Sequence, residues 1–265
     1  MSASQPLPFD PTSGSLSQKK PFDVDVSKLQ DPSKVQEGCN PVVLLACGSF
    51  SPPTVLHTRI FETARDYFRE TAETNKLQVV GGFISPVHPS YGKKGLAAPE
   101  HRVEMVKRAL ETSDWIACDE WEVKQNEWTR TRLSLDRMYQ ELNKDRGGQE
   151  VKVMLLCGAD ILESMVTPGK WRERSEERRG MILSRGIVCI KRSGSDPERL
   201  IQENDLLYER TRPFNSLIVC QAREWVENNV SSTAVRRAIK RNMSVKYFVA
   251  DPVLDYIKDK RLFLD

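Results

Sequence analysis

The stretch Gly48-Ser49-Phe50-Ser51-Pro52-Pro53-Thr54-Val55-Leu56-His57 separates two segments of different apolar periodicity. The run before it, Val42-Val43-Leu44-Leu45-Ala46-Cys47, is wholly apolar, which is typical of a strand buried on both faces. After it, apolar residues recur every four positions, as on one face of an amphipathic helix: Leu56, Ile60, Ala64 and Phe68. The sequence therefore predicts a strand–turn–helix corner. Gly48 permits the tight turn, and Pro52-Pro53 suits the entry to the helix.

The first turn of that helix is a candidate anion site. Helix N-termini present unpaired N–H groups and the positive end of the dipole. Thr54 and His57 are three residues apart, so their side chains lie on one face of this turn. A hydroxyl and an imidazole beside such amides are suited to phosphate. The corner by itself is equally compatible with a simple turn that carries one exposed histidine.

The bulk composition indicates one α/β domain of a chain with little net charge. The 265 residues carry 40 Lys and Arg against 37 Asp and Glu, a formal charge of +3. That value argues against nucleic-acid or membrane-surface binding, and no apolar run reaches the roughly 20 residues of a membrane helix. Five of the six cysteines close apolar runs without a C-x-x-C pair, so buried thiols and an intracellular location are expected.

The N-terminal residues differ from the rest of the chain. Residues 1–40 are rich in Ser, Pro, Asp, Lys and Gln, which predicts a disordered or loosely docked extension. Residues 41–265 are expected to form a single domain. This domain is predicted to be α/β, with a doubly wound, Rossmann-like, mostly parallel sheet, helices on both faces and a small helical part at the C-terminus.

Two later stretches also carry chemistry suited to a nucleotide. The apolar run Val151–Cys157 ends at Gly158-Ala159-Asp160, a second glycine corner whose carboxylate can accept from ribose hydroxyls. Near the C-terminus, Ser231-Ser232-Thr233-Ala234-Val235-Arg236 places hydroxyls, helix amides and a guanidinium together. Two glycine corners at strand ends are typical of the point in an open parallel sheet where ligands bind.

These motifs, in this order, resemble those of the eukaryotic-type nicotinamide/nicotinic acid mononucleotide adenylyltransferases of the nucleotidyltransferase superfamily. The corner matches G-S-F-x-P-x-T-x-x-H, and the C-terminal motif matches I-S-S-T-x-[IV]-R. The stretch Tyr91-Gly92-Lys93-Lys94-Gly95-Leu96 is similar to a Y-K-K-K-G-L loop, with Gly92 in place of one lysine. The resemblance extends from about Val42 to the C-terminus.

The resemblance implies roles for particular residues. His57 and Arg236 would be catalytic, with His57 stabilising charge at the α-phosphate. The ATP and phosphate contacts would be Gly48, Ser49, Phe50, Thr54, His57, Lys94, Ser232, Thr233 and Arg236. The contacts to the mononucleotide or to NAD would be Ser49, Phe50, Trp128, Thr131, Gly158, Asp160, Lys170, Trp171, Glu224 and Asn228. A Trp face attracts the flat cationic nicotinamide ring.

The implied reaction joins ATP to nicotinamide or nicotinic acid mononucleotide and releases pyrophosphate. The resemblance further implies Mg²⁺ bound to the substrate rather than to a protein metal site, a homo-oligomer, and a cytoplasmic or nuclear location. Two alternatives stay open at this point. One is a superfamily enzyme with another acceptor, such as phosphopantetheine or a cytidylyl substrate. The other is a nucleotide-binding protein without catalytic activity.

Overall fold

The computed structural model describes residues 24–144, 147–167, 185–191, 195–205, 207–208, 217–220 and 230–264. The strands within these ranges are β1 (Asn40–Gly48), β2 (Leu77–Pro86), β3 (Ile116–Cys118), β4 (Lys152–Gly158), β5 (Ile187–Ile190) and β6 (Leu217–Cys220). The helices are α1 (Val55–Glu70), α2 (Ala72–Asn75), α3 (Pro99–Ala109), α4 (Thr131–Asn143), α5 (Ala159–Val166), α6 (Pro197–Gln202), α7 (Ser232–Lys240) and α8 (Asp251–Asp259). No helix in these ranges has the length and apolarity to cross a membrane.

The strands form one parallel sheet in the order β3-β2-β1-β4-β5-β6. The chain therefore runs outward from β1 to one edge, then returns to β4 beside β1 and runs outward to the other edge. Helices cover both faces, with α1 and α3 on one apolar cluster and α4, α5 and α6 on the other. The predicted doubly wound α/β fold is confirmed.

The buried face of α1 shows why this helix packs where it does. Phe61, Ala64 and Phe68 are nearly fully buried against the sheet, whereas Leu56 and Ile60 are only half-buried. Gly82 in β2 lets the helix approach, because a Cβ there would lie 2.7 Å from the Phe61 ring. The predicted stripe thus identified the correct side of the helix but missed its central residue.

The C-terminal part packs as a separate apolar cluster. Met105 of α3, Val235 of α7 and Val253 of α8 lie at its centre, each at most 1% exposed. His101 donates or accepts a hydrogen bond with the Tyr256 hydroxyl, Nδ1 to Oη 2.9 Å, which further joins α3 to α8. This cluster fixes the start of α7 beside the sheet, and α7 carries the second signature motif.

Residues 24–39 pack along the sheet instead of leaving it. The β1–β2 register shifts between Val42 and Val43, so Val80 is skipped in the pairing, and its carbonyl accepts from the Gln30 amide at 2.8 Å. Leu29 fills the space above Gly81, where a Cβ would meet its Cδ1 at 2.5 Å. We call residues 24–39 the strap.

Candidate functional site

The candidate site lies at the carboxyl ends of the two central strands. β1 and β4 are neighbours, with Leu45 opposite Leu155, and each strand ends three residues later at a glycine, Gly48 or Gly158. The chain leaves β1 toward α1 and leaves β4 toward α5, on opposite faces of the sheet. This divergence opens the crevice in which doubly wound folds bind their ligands.

The turn from Gly48 to Thr54, which we call the corner, is held in place by its carbonyl oxygens. The Gly48 carbonyl accepts from the Val87 amide at 2.9 Å, and the Ser49 carbonyl from Arg102 at 3.3 Å. The carbonyls of Ser51 and Pro52 accept at 2.8 Å from Arg236 Nη1 and Ser232 Oγ, respectively. The corner backbone is therefore fixed by four separate donors. The Ser51–Pro52 peptide bond is cis.

The peptides that follow Gly48 and Ser49 also carry amide groups, which lie on the side opposite to their carbonyls. Among the described residues, the Ser49 and Phe50 amides have no protein acceptor. Phe50 has a left-handed backbone, φ 42°, and its ring packs edge-on against the His57 ring with centroids 5.2 Å apart. A Cβ on Gly48 would lie 3.1 Å from the Phe50 ring, so a glycine is needed for this arrangement. Two unpaired amides beside an imidazole can bind an anion.

The ring orientation of His57 is set by Thr54, the N-cap residue of α1. The Thr54 amide donates to His57 Nδ1 at 2.9 Å, and Thr54 Oγ1 lies 2.8 Å from the same nitrogen. Because a backbone amide can only donate, Nδ1 acts as the acceptor and carries no proton. The neutral ring then has its proton on Nε2, which makes Nε2 a hydrogen-bond donor. Thr54 therefore orients His57 and is itself only 2% exposed.

The second signature motif reaches the corner from the far end of the chain. Ser231 caps α7 by accepting from the Ala234 amide at 3.2 Å. Arg236 contacts Thr233 Oγ1 at 3.4 Å, and burial lowers the pKa of its guanidinium. Its Nε lies 3.8 Å from the Cβ position of Gly95. The loop Tyr91–Leu96, which we call the lysine loop, therefore passes beside Arg236. Residues predicted to bind phosphate from three distant parts of the sequence thus meet at one place.

The remaining predicted site residues are less closely joined to the corner. Lys93 and Lys94 are exposed in the loop next to Arg236, and Trp128 is 47% exposed in the connection between β3 and α4. Thr131 is the first residue of α4. Asp160 lies in the first turn of α5, with Oδ1 2.8 Å from the Cβ position of Gly158. Four predicted residues lie outside the described ranges: Lys170, Trp171, Glu224 and Asn228.

A buried polar group behind the corner was not predicted from the sequence. Asp119 binds Arg137 Nη1 at 2.8 Å and accepts from Ser85 Oγ at 3.2 Å. Glu122 is 2% exposed and accepts from Ser134 Oγ at 3.4 Å. Burial raises the pKa of Glu122 to about 7, only partly offset by the His88 amide, Ser134 and Arg102. The available signal was the acidic run that directly follows the apolar strand β3, Asp119-Glu120-Trp121-Glu122.

Arg102 is the other residue that the sequence interpretation missed. It is 1% exposed and contacts the corner directly. The sequence offered a signal, because the apolar residues Met105 and Val106 follow Arg102 at helical spacing. In the structure both are fully buried. An arginine on the apolar face of a helix is seldom buried without a specific set of acceptors. Within the described ranges, no group of three or more His, Cys, Asp or Glu side chains is arranged to hold a metal ion.

The fold and the corner together define a nucleotide-binding α/β protein of the nucleotidyltransferase class. A family model described as cytidylyltransferase-like matches residues 45–238, which include both signature motifs. A solved structure of the Plasmodium falciparum nicotinic acid mononucleotide adenylyltransferase, complexed with APC, superposes with a TM-score of 0.57. It is 17% identical, and the match covers 84% of this chain and 96% of that one, which supports the fold.

Curated relatives give the finer assignment. The Arabidopsis thaliana nicotinamide/nicotinic acid mononucleotide adenylyltransferase is 42% identical, with 84% of this chain and 90% of that protein covered. The Drosophila melanogaster nicotinamide-nucleotide adenylyltransferase is also 42% identical over 84% of this chain, but only 61% of its own length is covered. The chain belongs to the nicotinamide/nicotinic acid mononucleotide adenylyltransferase family, within the cytidylyltransferase-like proteins. It spans about three fifths of the length of the fly relative and of a Saccharomyces cerevisiae relative.

Proposed function

We propose that this chain transfers the adenylyl group of ATP to nicotinamide mononucleotide or nicotinic acid mononucleotide, giving NAD or its deamido form and pyrophosphate. The observation that carries the proposal is the 42% identity to a relative of that name over 90% of the relative's length. The geometry of the corner supports it, because two amides, an imidazole and a guanidinium converge where a triphosphate would bind.

The reaction we propose is a direct displacement at phosphorus. An oxygen of the mononucleotide 5′-phosphate forms a bond to the α-phosphorus of ATP, and the bond to the bridging oxygen of pyrophosphate breaks. No protein nucleophile is required, because phosphoryl-type transfer depends mainly on positioning and on charge stabilisation. The protein contributes by holding both substrates in line and by placing donors where negative charge increases.

The residues of the corner and those beside it have distinct parts in this scheme. His57, with its proton held on Nε2 by the bond from the Thr54 amide, donates to an α-phosphate oxygen. The Ser49 and Phe50 amides bind phosphate oxygens at the same place. Arg236 and Lys94 hold the departing pyrophosphate, with Ser232 and Thr233 at the start of α7 beside them. An arginine suits this role because its planar group can grip two phosphate oxygens.

The mononucleotide would occupy the other side of the crevice. Trp128 and Thr131 follow β3 at the same edge of the sheet, and Gly158 ends β4, with Asp160 two residues later. We assign Lys170, Trp171, Glu224 and Asn228 to this side on the family motifs alone. Stacking of the pyridine ring on a tryptophan face would favour a flat cation over a flexible aliphatic acceptor.

Three further features belong to the proposal: a divalent cation, an oligomeric state and a cellular location. ATP would enter with a divalent cation, Mg²⁺, which binds phosphate oxygens and water and neutralises part of the triphosphate charge. We also propose a homo-oligomer in a cytoplasmic or nuclear setting, as the family motifs imply. Sedimentation velocity measures the oligomeric state, and fluorescence microscopy of the tagged chain shows its location.

The deciding experiment is pyrophosphate release from ATP and Mg²⁺ with each pyridine mononucleotide in turn, and then with phosphopantetheine. Release with either pyridine mononucleotide is expected, and the ratio of the two rates gives the acceptor preference. Release with phosphopantetheine alone would contradict the proposed acceptor. ATP binding without release from any acceptor would favour a binding protein.

A further inference from the structure

Arg102 is a buried cation that joins three loops around the corner. Its Nη1 donates to the Ser49 carbonyl at 3.3 Å, its Nη2 to the Val87 carbonyl at 2.8 Å and its Nε to the Ala97 carbonyl at 3.2 Å. Ser49 is in the corner, Val87 follows β2 and Ala97 follows the lysine loop. The guanidinium therefore donates to three backbone carbonyls.

These bonds determine where two amides of the corner point. In a planar trans peptide the carbonyl and the following N–H lie on opposite sides. Holding the Ser49 carbonyl with Arg102 thus turns the Phe50 amide away from Arg102. Val87, whose own carbonyl Arg102 also holds, donates to the Gly48 carbonyl at 2.9 Å and so turns the Ser49 amide outward. Arg102 controls one peptide directly and the other through Val87.

Two carboxyl groups, Glu122 and Glu100, stabilise the positive charge of Arg102. Burial lowers the pKa of its guanidinium, whereas Glu122 and Glu100 raise it, and an arginine remains protonated in any case. Glu122 belongs to the buried group at the end of β3 and is itself only 2% exposed. A fixed positive charge behind the corner amides makes this region more favourable to phosphate.

We propose that Arg102 is a positioning residue for adenylyl transfer, which aims the Ser49 and Phe50 amides at the phosphates of ATP. This inference rests on the proposed function. Arg102 is not placed to touch the substrate itself, because it is 1% exposed and lies behind the corner. Its effect should appear mainly at the ATP phosphates, to which the proposed mechanism assigns these two amides, and should leave the mononucleotide contacts around Trp128 unchanged.

The test uses R102K and R102Q in the full chain. Neither side chain can reach all three carbonyls, so the amides lose their fixed direction. We expect kcat/KM for ATP to fall about 10- to 100-fold, since misplaced oxyanion donors cost that much or more. The KM for the mononucleotide should stay within about threefold of wild type. Calorimetry with a non-hydrolysable α,β-methylene analogue of ATP should show the same weakening.

Arg65→Lys is the matched control. Arg65 is partly buried, whereas Arg102 is fully buried; Arg65 pairs with Glu62 at 2.7 Å and lies over the Trp115 ring at 4.3 Å, but it does not contact the corner. R65K should change the melting temperature without changing ATP kinetics. Wild-type ATP kinetics in R102K, or an equal rise in the KM for ATP and for the mononucleotide, would overturn the proposal. If the wild-type chain itself released no pyrophosphate, the proposed function would fail, and the analogue titration would still decide the role of Arg102.

Discussion

At the scale of single residues, His57 is the side chain whose chemistry is most tightly specified. Its Nδ1 accepts from the Thr54 amide, so the ring proton is on Nε2, the atom that the proposed mechanism directs at phosphate. We expect His57→Ala to lower kcat by about 100- to 1000-fold, as for removal of one oxyanion donor, while the protein stays folded. Steady-state pyrophosphate release measures this loss.

His101→Asn is the control for that substitution. His101 bonds Tyr256 in the C-terminal cluster and has no contact with the corner. Its variant should keep turnover within about threefold of wild type. Turnover of the His57 variant in that same range would remove His57 from the mechanism.

Glu122 provides a prediction about pH. Burial raises its pKa from an ordinary value of 4.5 to about 7. Between these two values the folded protein binds a proton that the unfolded chain has released, so the contribution of Glu122 to stability declines as pH rises through this window. Relative to wild type, Glu122→Gln should gain on the order of 3 kcal/mol in unfolding free energy between pH 4.5 and pH 7. Urea unfolding at several pH values gives this difference.

Glu120 is the natural comparison because it lies two residues away. Burial would raise the pKa of Glu120, but its bonds from Lys107 and Lys124 outweigh that effect and lower it. Glu120→Gln should therefore lose stability relative to wild type as pH rises through the ordinary range of a carboxyl group. The same slope for both variants would contradict the assignment of a raised pKa to Glu122.

At the scale of elements, sequence patterns predicted those parts of the fold that rest on local signals. The apolar run before Gly48 identified β1, and the four-residue spacing identified α1. The sequence Glu127-Trp128-Thr129-Arg130-Thr131 by itself predicts a helix from about Glu127, but α4 begins at Thr131, because Arg130 is still extended with ψ 146°. Trp128 imitates a helical apolar position although it lies in the loop.

The contacts that build the site were harder to predict because they join distant segments. Hydrogen bonds from Arg236 and Ser232 to the corner span 185 and 180 residues of sequence, and no local pattern gives such a pairing. Only the resemblance of the two motifs to one family placed them together. Arg102 belongs to neither motif and was therefore missed.

Gly82 gives a prediction for the packing of α1 on β2. A Cβ at this position would lie 2.7 Å from Phe61 and 3.2 Å from Trp115, both of which are nearly fully buried. Gly82→Ala should destabilise the protein by about 1–3 kcal/mol, as overpacking of a core does. A Cβ at Gly148 would have no heavy atom within 4 Å, so Gly148→Ala serves as the control. Equal unfolding free energies for the two variants in urea would argue against this packing.

At the scale of the whole molecule, the strap extends the sheet domain beyond the region that the family motifs cover. Val24, Leu29 and Val35 are spaced without periodicity, so no helix or strand pattern predicts their packing on the core. The shifted register at Val80 that receives Gln30 is equally invisible in the sequence. The strap depends on a feature that only the assembled sheet provides.

The contribution of the strap can be measured by comparing chains that begin at residue 24 and at residue 40. The shorter chain exposes the apolar surface under Val24, Leu29 and Val35 and leaves the Val80 carbonyl without its donor. Partial burial of three such side chains contributes roughly 2–5 kcal/mol. At about 2–4 °C for each kcal/mol, the shorter chain should melt at least several degrees lower.

Leu29→Ala in the full chain separates packing from the backbone bond. This substitution removes the side chain above Gly81 but keeps the Gln30 amide in place, so it should produce part of the shift seen on truncation. ATP kinetics should remain near wild type in both cases, because Leu29 and Gln30 contact β2 at Gly81 and Val80, well before the carboxyl end of that strand at Pro86. Identical melting temperatures for the two truncated chains would mean that residues 24–39 do not stabilise the sheet. A selective loss of ATP affinity on truncation would instead connect the strap to the site.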